Sequence, residues 1–408
     1  MVPTGGAPAT MNTIPSREAN ARIAAAYDAL PYDSPAEEKL DPEKALGLAA
    51  VYGATASLGS VLDIGCGTGT QLARAGLRTK GRLVGVDLSG EACSCARIEL
   101  QAFGGRAEIV QADILDLAAC DLGQFDLIYN IGVIFVVPPD VQRHILALVA
   151  KCLKPGGVAV LGYYAGSLDA LRANLHRTLR AIITDETNPQ AAVAKARGYL
   201  KYLETTLPYS SQRGLLEAAI RETQSLTDIV LYHEALNQAF EAMQTSQIEQ
   251  VFAAQDVGFA SYLAPIPFGG LKTSRERAVA ADTLDFSYGS YRHAVFVRWP
   301  DRHQSPDMRR ANVIWTNSLA TALPDPDISR PVIFTTPDNQ SLTLHSPVTV
   351  AMLQSLKDEP VTWSAAFSRG LEKAASLGLP CPSNQEDLSL AEFMKLWSYN
   401  FVRPQTVA

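Results

Sequence analysis

The sequence predicts an α/β protein with a doubly wound, mainly parallel sheet, a helical insertion and a small C-terminal α+β unit. Three observations support this prediction. Short apolar strands alternate with helical stretches up to about residue 167, strand signals vanish over 168–255, and strands return from 256 onwards. Regular alternation of strands and helices is typical of a parallel sheet covered by helices on both faces.

Seven strands are predicted for the main sheet. The five in the front half are Val61–Ile64, Arg82–Val86, Ala107–Gln111, Phe125–Asn130 and Val158–Tyr163. Phe259–Ala264 and His293–Trp299 are expected to form a closing antiparallel pair over 256–300. The segment Lys154–Gly157 ends a helix and turns into the fifth strand, because proline cannot continue a helix and glycine supplies a positive φ.

The segment 168–255 has helical spacing. Apolar residues recur at Leu171, Leu175 and Leu179, and Asn188-Pro189 separates two helices. An insertion after the last parallel strand would lie over the crevice at the strand ends. These helices are therefore predicted to form a lid.

Residues 301–408 are predicted to form a small separate domain. A polar linker opens it, and Val332–Leu344 has the pattern of a hairpin with its turn at Pro337–Asn339. Two helices are expected to follow, over Val348–Lys357 and Thr362–Ser376.

Composition narrows the function classes. The 408 residues suit two or three domains, and the net charge of −7 without a long Lys/Arg run argues against nucleic acid as a partner. No apolar stretch is long enough to span a membrane, and no signal peptide opens the chain. The six cysteines and six histidines show no metal-ligand spacing. We expect a cytoplasmic protein with reduced thiols and no structural metal.

The most informative stretch runs from Val61 to Thr70, where an apolar strand enters a glycine-rich turn and then a helix. A dinucleotide site has the spacing GxGxxG. Here the turn has the spacing GxGxG after an acid, and its residues are Asp63, Gly65, Cys66, Gly67 and Gly69. An acid with exposed backbone amides suits the α-ammonium and carboxylate of S-adenosylmethionine (SAM) better than it suits a pyrophosphate.

Two further acids lie at the ends of the next strands. Asp87, followed by Leu88, can accept both hydroxyls of a ribose. Asp113 can accept from the adenine amino group, while Ile114 packs on the ring. The combination predicts SAM as cofactor, bound to a Rossmann-like domain over 23–167 that follows a flexible tail at 1–22.

The motifs VLDIGCGTG, VGVD, ADILDL and LKPGG resemble those of class I SAM-dependent methyltransferases over Val61 to Tyr164. The segments Tyr27–Tyr32, Leu231–Glu234 and Asp285-Phe286 extend the resemblance to methyltransferases that carry a methyltransferase regulatory domain. That group includes bacterial protein-lysine methyltransferases. The resemblance implies a helical middle domain, a winged-helix-like C-terminal domain and a place for Tyr27 over the cofactor.

The chain departs from this group in three segments expected on the substrate side. They are Ile134–Val137, Tyr163–Ser167 and Ala239–Met243. The cofactor motifs are kept while the substrate motifs differ. This contrast favours a small-molecule acceptor over a protein lysine.

The end of the fourth strand supplies two candidates. Tyr129 is expected to contact the cofactor, and Asn130 either holds a substrate amine or carboxylate and contacts the cofactor or only caps the turn. No proline follows Asn130, so the NPPY signature of base and amide N-methylation is absent. Its absence argues further against a nucleic-acid substrate.

The other catalytic candidates are aromatic and imidazole side chains. Tyr163 and Tyr164 end the fifth strand, and alternation sends one of them into the crevice. His233, next to Glu234 on the lid, is either a base or a buried structural residue. Methyl transfer from a sulfonium is an in-line displacement, so the enzyme mainly supplies position.

The leading hypothesis is a SAM-dependent methyltransferase acting on an amine or carboxylate of a small metabolite or peptide. A protein-lysine substrate is the first alternative. The second is a cyclase that attacks SAM's own carbon chain and releases methylthioadenosine. A SAM-sensing regulator on DNA is disfavoured by the acidic composition, and nothing in the sequence excludes a homodimer.

Overall fold

The structure is a computed structural model. It describes residues 15–30, 40–117, 121–165, 167–207, 213–237, 239–264, 271–284, 291–299, 306–310, 312–317, 327–335, 341–357, 359–398 and 401–406.

Seven strands form the main sheet. They are β1 (Val61–Ile64), β2 (Leu83–Asp87), β3 (Ala107–Gln111), β4 (Phe125–Ile131), β5 (Leu153–Tyr164), β6 (Val257–Tyr262) and β7 (Tyr291–Arg298). Their order across the sheet is β3-β2-β1-β4-β5-β7-β6, and β7 runs antiparallel to both of its neighbours. The predicted fold class is confirmed. Most strand boundaries shift by one or two residues, and β5 begins earlier than expected.

Both faces of the sheet are covered, which is why its central strands are apolar without alternation. One face packs against α2 (Pro42–Val51) and α3 (Thr70–Gly76). The other packs against α6 (Pro139–Cys152), α11 (Thr245–Ala253) and α12 (Ser274–Leu284). Two short helices, α4 (Gly90–Glu99) and α5 (Ile114–Leu117), follow β2 and β3.

The first helix, α1 (Ser16–Ala29), corrects the predicted tail. Residues 16–22 were expected to be flexible, but they belong to this helix. Arg17 pairs with Asp116 at 2.6 Å, and Asn20 donates to Asp113 at 2.9 Å. These contacts could not be predicted from local patterns, because their partners lie more than ninety positions away.

The lid consists of α7 (Ser167–Ile182), α8 (Pro189–Thr206), α9 (Arg213–Ser225) and α10 (Asp228–Val230). A π-helical turn, Leu231–Ala235, continues α10. These elements share a small apolar core to which Leu175 and Leu179 contribute, as their spacing predicted. The predicted insertion ran to 255, but α11 packs on β6 and α12 and so covers the sheet.

The C-terminal part contains two small sheets. A hairpin pairs β9 (Val332–Thr335) with β10 (Ser341–Leu344), and a second sheet has the order β11-β8-β12. The strands of the second sheet and the helices of this part are β8 (Val313–Asn317), β11 (Val361–Thr362), β12 (Val402–Thr406), α13 (Pro347–Ser355), α14 (Trp363–Ser376) and α15 (Gln385–Ser398). The prediction missed β8, β11, β12 and α15. The predicted turn at Pro337–Asn339 lies outside the described residues.

The C-terminal strands share a continuous apolar core with α2 and the main sheet. The closest approach is at Gly47 of α2, where a Cβ atom would overlap the Pro404 carbonyl of β12. The division at residue 301 into a separate domain stays a prediction. Among the described helices, none has the length and apolar character needed to cross a bilayer.

We predict that Gly47→Ala lowers the free energy of unfolding by about 1–3 kcal/mol, because the added methyl group pushes β12 away from α2. Urea unfolding measures the effect. Gly198→Ala is the matched control, since Gly198 is an exposed helical glycine of α8 with open space around it. It should stabilise the protein by roughly 0.5–1 kcal/mol. Equal effects of the two changes would contradict this account of the α2–β12 contact.

Candidate functional site

A cavity of about 580 Å³ lies at the carboxyl ends of the parallel strands. It opens beside β1 and β4, where the strand order reverses direction. Ligands of open α/β sheets bind at such a switch point. The volume is that of a pocket for one cofactor-sized ligand and an adjoining group.

The glycine-rich turn after β1 forms one wall. Gly65, Gly67 and Gly69 have φ values of 77°, 52° and 82°, a region that favours glycine. Gly65 and Gly67 line the cavity with Cys66, and a Cβ on Gly67 would meet nothing within 4 Å. Gly69 is not among the described lining residues. It packs on α4, where a Cβ would lie 3.0 Å from the Cβ of Ala96.

Asp87 ties this turn to the end of β2. Its Oδ2 accepts from the Gly67 amide at 2.8 Å, and its Oδ1 accepts from the Ser89 amide at 2.9 Å. Burial raises the pKa of Asp87, while these amides pull it down. The Leu88 amide also hydrogen-bonds to this carboxylate. Because a carboxylate has about four acceptor sites, Asp87 retains capacity for a ribose hydroxyl. Asp63 is 2% exposed and also lines the cavity.

The predicted adenine end lies beside α1. Leu88, Asp113 and Ile114 all line the cavity. Both hydrogen bonds recorded for Asp113 use Oδ1, which accepts from Asn20 and from the Leu115 amide at 2.9 Å each. Asn20 itself lines the cavity and was missed by the prediction, because an isolated Asn on a surface-like helix has no sequence signal.

Tyr27 closes the cavity from the side of α1, where the resemblance placed it. Its ring stacks on His233, with ring centres 4.1 Å apart. His233 Nε2 lies 2.6 Å from the Leu30 carbonyl oxygen and donates to it. Burial lowers the pKa of His233, so the neutral ring is favoured. His233 does not line the cavity among the described residues, and its contacts with Tyr27 and Leu30 favour the structural alternative. Its predicted role as a base stays a prediction.

Three other candidates are fully buried and are not among the described lining residues. Tyr129 lies in the core beneath the sheet. The Asn130 amide donates to the Ile64 carbonyl at 2.8 Å and so joins the ends of β4 and β1. The Tyr163 hydroxyl lies 2.7 Å from Thr245 Oγ1. Asn130 thus joins β4 to β1, and Tyr163 joins β5 to α11. The predicted contacts of the three residues with cofactor or substrate stay predictions.

Tyr164 is the strand-end tyrosine that reaches the cavity, and its hydroxyl donates to Glu234 Oε2 at 2.6 Å. Glu234 also lines the cavity. Burial raises the pKa of Glu234, while the Tyr164 hydrogen bond and the charge of Arg172 lower it. Sequence reasoning had weighted the neighbouring His233. In the π-helical turn the adjacent side chains face different ways, and such turns recur at functional sites.

The lining around Tyr164 and Glu234, called the acceptor end below, also includes apolar and aromatic side chains. Tyr291 and His293 of β7 line it, and the Tyr291 ring stands edge-on to Tyr164 with centres 5.0 Å apart. Burial lowers the pKa of His293 to about 4, so this ring is neutral at pH 7. The aliphatic lining residues are Ile131, Val133, Val136, Val137, Val141 and Ile145. Val136 and Val137 lie in the segment Ile134–Val137 that was expected on the substrate side. The other four were not predicted, because apolar residues at strand and helix ends look like ordinary core.

The geometry fits SAM. The open space at Gly67 admits a ligand against the backbone, and acids stand at the ends of β1, β2 and β3, as a nucleoside with an ammonium group requires. The family described as "Methyltransferase domain" matches residues 61–157. The chain carries a SAM-dependent methyltransferase domain. The predicted family resemblance and the predicted cofactor are confirmed.

Two curated relatives of this methyltransferase domain have different reactions in their names. The ubiquinone biosynthesis O-methyltransferase of Thiobacillus denitrificans is 29% identical over 167 residues, which are 41% of this chain and 66% of that protein. The carboxy-S-adenosyl-L-methionine synthase of Wolinella succinogenes is 26% identical over 176 residues, 41% of this chain and 71% of the relative. The chain thus spans just under two thirds of the length of the first relative.

The fold of this methyltransferase extends beyond the matched domain. The structure of PKMT2 from Rickettsia typhi in complex with AdoHcy covers 92% of this chain and 77% of its own, with a TM-score of 0.67 and 18% identity. At this identity the likeness shows the fold alone.

We predict that Asp87→Ala weakens SAM binding about 10–100-fold, because it removes a charged acceptor from both the ribose and the Gly67 amide. Isothermal titration calorimetry measures the affinity. Asp185→Ala, which removes an exposed acid at the end of α7, is the control and should bind SAM like the wild type. Full SAM affinity in Asp87→Ala would refute the assignment of the ribose end.

Proposed function

We propose that the protein transfers the methyl group of SAM to an amine carried on an apolar molecule or side chain. The observation that carries this proposal is the Glu234 carboxylate at the inner end of the acceptor cavity, held by the Tyr164 hydroxyl. A buried carboxylate there attracts an ammonium group and can take a proton from it. The aliphatic walls suit the carbon skeleton that bears the amine.

The charge of the cavity favours an amine over a carboxylate acceptor. Among its described lining residues none is Lys or Arg, whereas Asp63, Asp87, Asp113 and Glu234 are acids. His293 is neutral at pH 7. A carboxylate acceptor would bring another negative charge beside Glu234 with no cation on the lining to offset it. The acceptor named in the sequence-based hypothesis thus narrows to an amine.

The roles of the residues follow from this arrangement. Bound SAM supplies an activated methyl group on a sulfonium and leaves as S-adenosylhomocysteine (AdoHcy). Glu234 accepts one proton from the acceptor ammonium, which frees the nitrogen lone pair for in-line attack. The Tyr164 hydroxyl keeps that carboxylate in place. The faces of Tyr164 and Tyr291 favour positive charge near the reacting centre, and the valine walls exclude water.

The proposed amine acceptor can be a small molecule or part of a protein. An amine at the end of an aliphatic chain describes both a small metabolite and a lysine side chain. The differences in the segments Ile134–Val137, Tyr163–Ser167 and Ala239–Met243 support the small molecule. Because the fold is like that of PKMT2, a protein substrate is the second candidate. The net charge of −7 supports a partner other than nucleic acid, and we place the reaction in the cytoplasm.

Product analysis tests the reaction class. The protein is incubated with SAM and, in separate arms, with ω-amino alkyl compounds, a lysine-containing peptide, an aliphatic carboxylic acid and intact bacterial proteins. Mass spectrometry identifies the nucleoside product and the methylated acceptor. We expect AdoHcy with an N-methylated amine. Methylthioadenosine would establish the cyclase alternative, and an ester product would refute the amine proposal.

We predict that Glu234→Gln lowers kcat for amine methylation about 100–10,000-fold with the KM for SAM little changed. In the wild type, kcat should fall as pH drops through the pKa of Glu234, which burial raises above its ordinary 4.5, because protonated Glu234 cannot accept a proton. This acid limb should vanish in the variant. Glu241→Gln, an exposed neighbour, is the control. An unchanged acid limb in Glu234→Gln would exclude Glu234 as the base.

A further inference from the structure

The lid brings a buried guanidinium to the acceptor end. Arg172 of α7 is only 5% exposed, and its guanidinium carbon lies 4.7 Å from the centre of the Tyr164 ring. On its outer side Arg172 forms an ion pair with Glu222 of α9. Burying an Arg side chain costs free energy unless other groups compensate its charge. Here the Glu222 carboxylate and the face of the Tyr164 ring both compensate it.

Tyr164 links this contact to the cavity. The same Tyr164 whose ring faces Arg172 donates its hydroxyl to Glu234. A shift of the ring would move the hydroxyl and with it the carboxylate. Arg172 is not itself among the described lining residues, so it acts on the site through Tyr164.

We propose that Arg172 is a positioning residue, supplied by the lid, that fixes the Tyr164 ring and thereby holds the Glu234 carboxylate toward the acceptor. The proposal rests on the proposed function of Glu234. Lysine would not replace Arg172 fully, because an ammonium lacks the planar face that lies over the ring. The lid then contributes to the chemical step as well as covering the cleft.

Other ionisable groups near the Tyr164–Glu234 pair come from several elements. They are Tyr291 and His293 on β7, His176 on α7, Glu222 on α9 and His233 in the π-helical turn. Burial lowers the pKa of His176 to about 3 and of His293 to about 4. Neither ring is charged above pH 5. Arg172 is thus the cation near the Tyr164–Glu234 pair that can lower the pKa of Glu234 above pH 5.

The test compares Arg172→Met, Arg172→Lys and two controls. Arg180→Met removes another cation of α7, one that donates to the Asn237 carbonyl. Glu222→Gln removes the outer ion pair and leaves the guanidinium over the ring. Two quantities are measured in each variant: kcat and KM against pH, and the Glu234 titration by NMR of ¹³C-carboxyl-labelled glutamate, assigned with Glu234→Gln.

We expect Arg172→Met to raise the Glu234 midpoint by about 1 pH unit or more. It should lower kcat about 10–100-fold with the KM for SAM unchanged. Arg172→Lys should restore the midpoint more than it restores kcat, and it carries the test should the Met variant fail to fold. Both controls should resemble the wild type.

An unchanged Glu234 midpoint in both Arg172 variants would overturn the proposal. So would an equal loss of kcat in Glu222→Gln, because a role limited to lid stability predicts that result. If the wild type methylates no amine, the proposed function fails, while the NMR titration still decides whether Arg172 acts on Glu234.

Discussion

The hydrogen bond from the Gly67 amide to the Asp87 carboxylate is the interaction on which the cofactor side of the cleft depends. It ties the turn after β1 to the end of β2 at 2.8 Å. The turn favours glycine because its backbone lies at positive φ, and at Gly65 an added Cβ would overlap Val133. The open space at Gly67 leaves room for a ligand against the backbone. The carboxylate is nearly buried, so burial alone would favour its neutral form, and the amides of Gly67 and Ser89 oppose that tendency. The turn and the acid thus stabilise each other before any ligand is bound.

The acceptor side, as proposed, differs from the cofactor side in the groups that form it. Its polar centre is the pair Tyr164–Glu234, joined across 70 positions of the chain. Around it lie aliphatic and aromatic side chains, which under the proposed function would leave the buried Glu234 carboxylate as the charge nearest the acceptor. The cofactor side is a set of backbone amides and acids on rigid strand ends, whereas the acceptor side depends on how the lid packs. This division allows one cofactor site to serve different acceptors.

Helix α1 and strand β12, which are far apart in the sequence, both pack against the main sheet domain. Helix α1 lies against the adenine end, where Asn20 bonds to Asp113, and Tyr27 stacks on His233 of the lid. The C-terminal strand β12 packs on α2, with Gly47 permitting the close approach. The first contact links the cofactor wall to the lid, and the second supports the sheet from below. Helix α1 and strand β12 are thus integral parts of the fold.

The sequence by itself determined the sheet, the helical lid and the cofactor end, because each of them follows from the spacing of residues within one continuous segment. Asp63, Gly65 and Gly67 lie within five positions, and Asp87 and Asp113 each end a strand whose direction the alternation already predicts. Only the tertiary structure decided that Glu234 lines the cavity while His233 stacks on Tyr27. It also decided that Asn130 bonds to Ile64 and that Arg172 lies over Tyr164. The physical reason is that such roles depend on side-chain direction and on contacts between distant segments, and the local spacing of residues does not specify either.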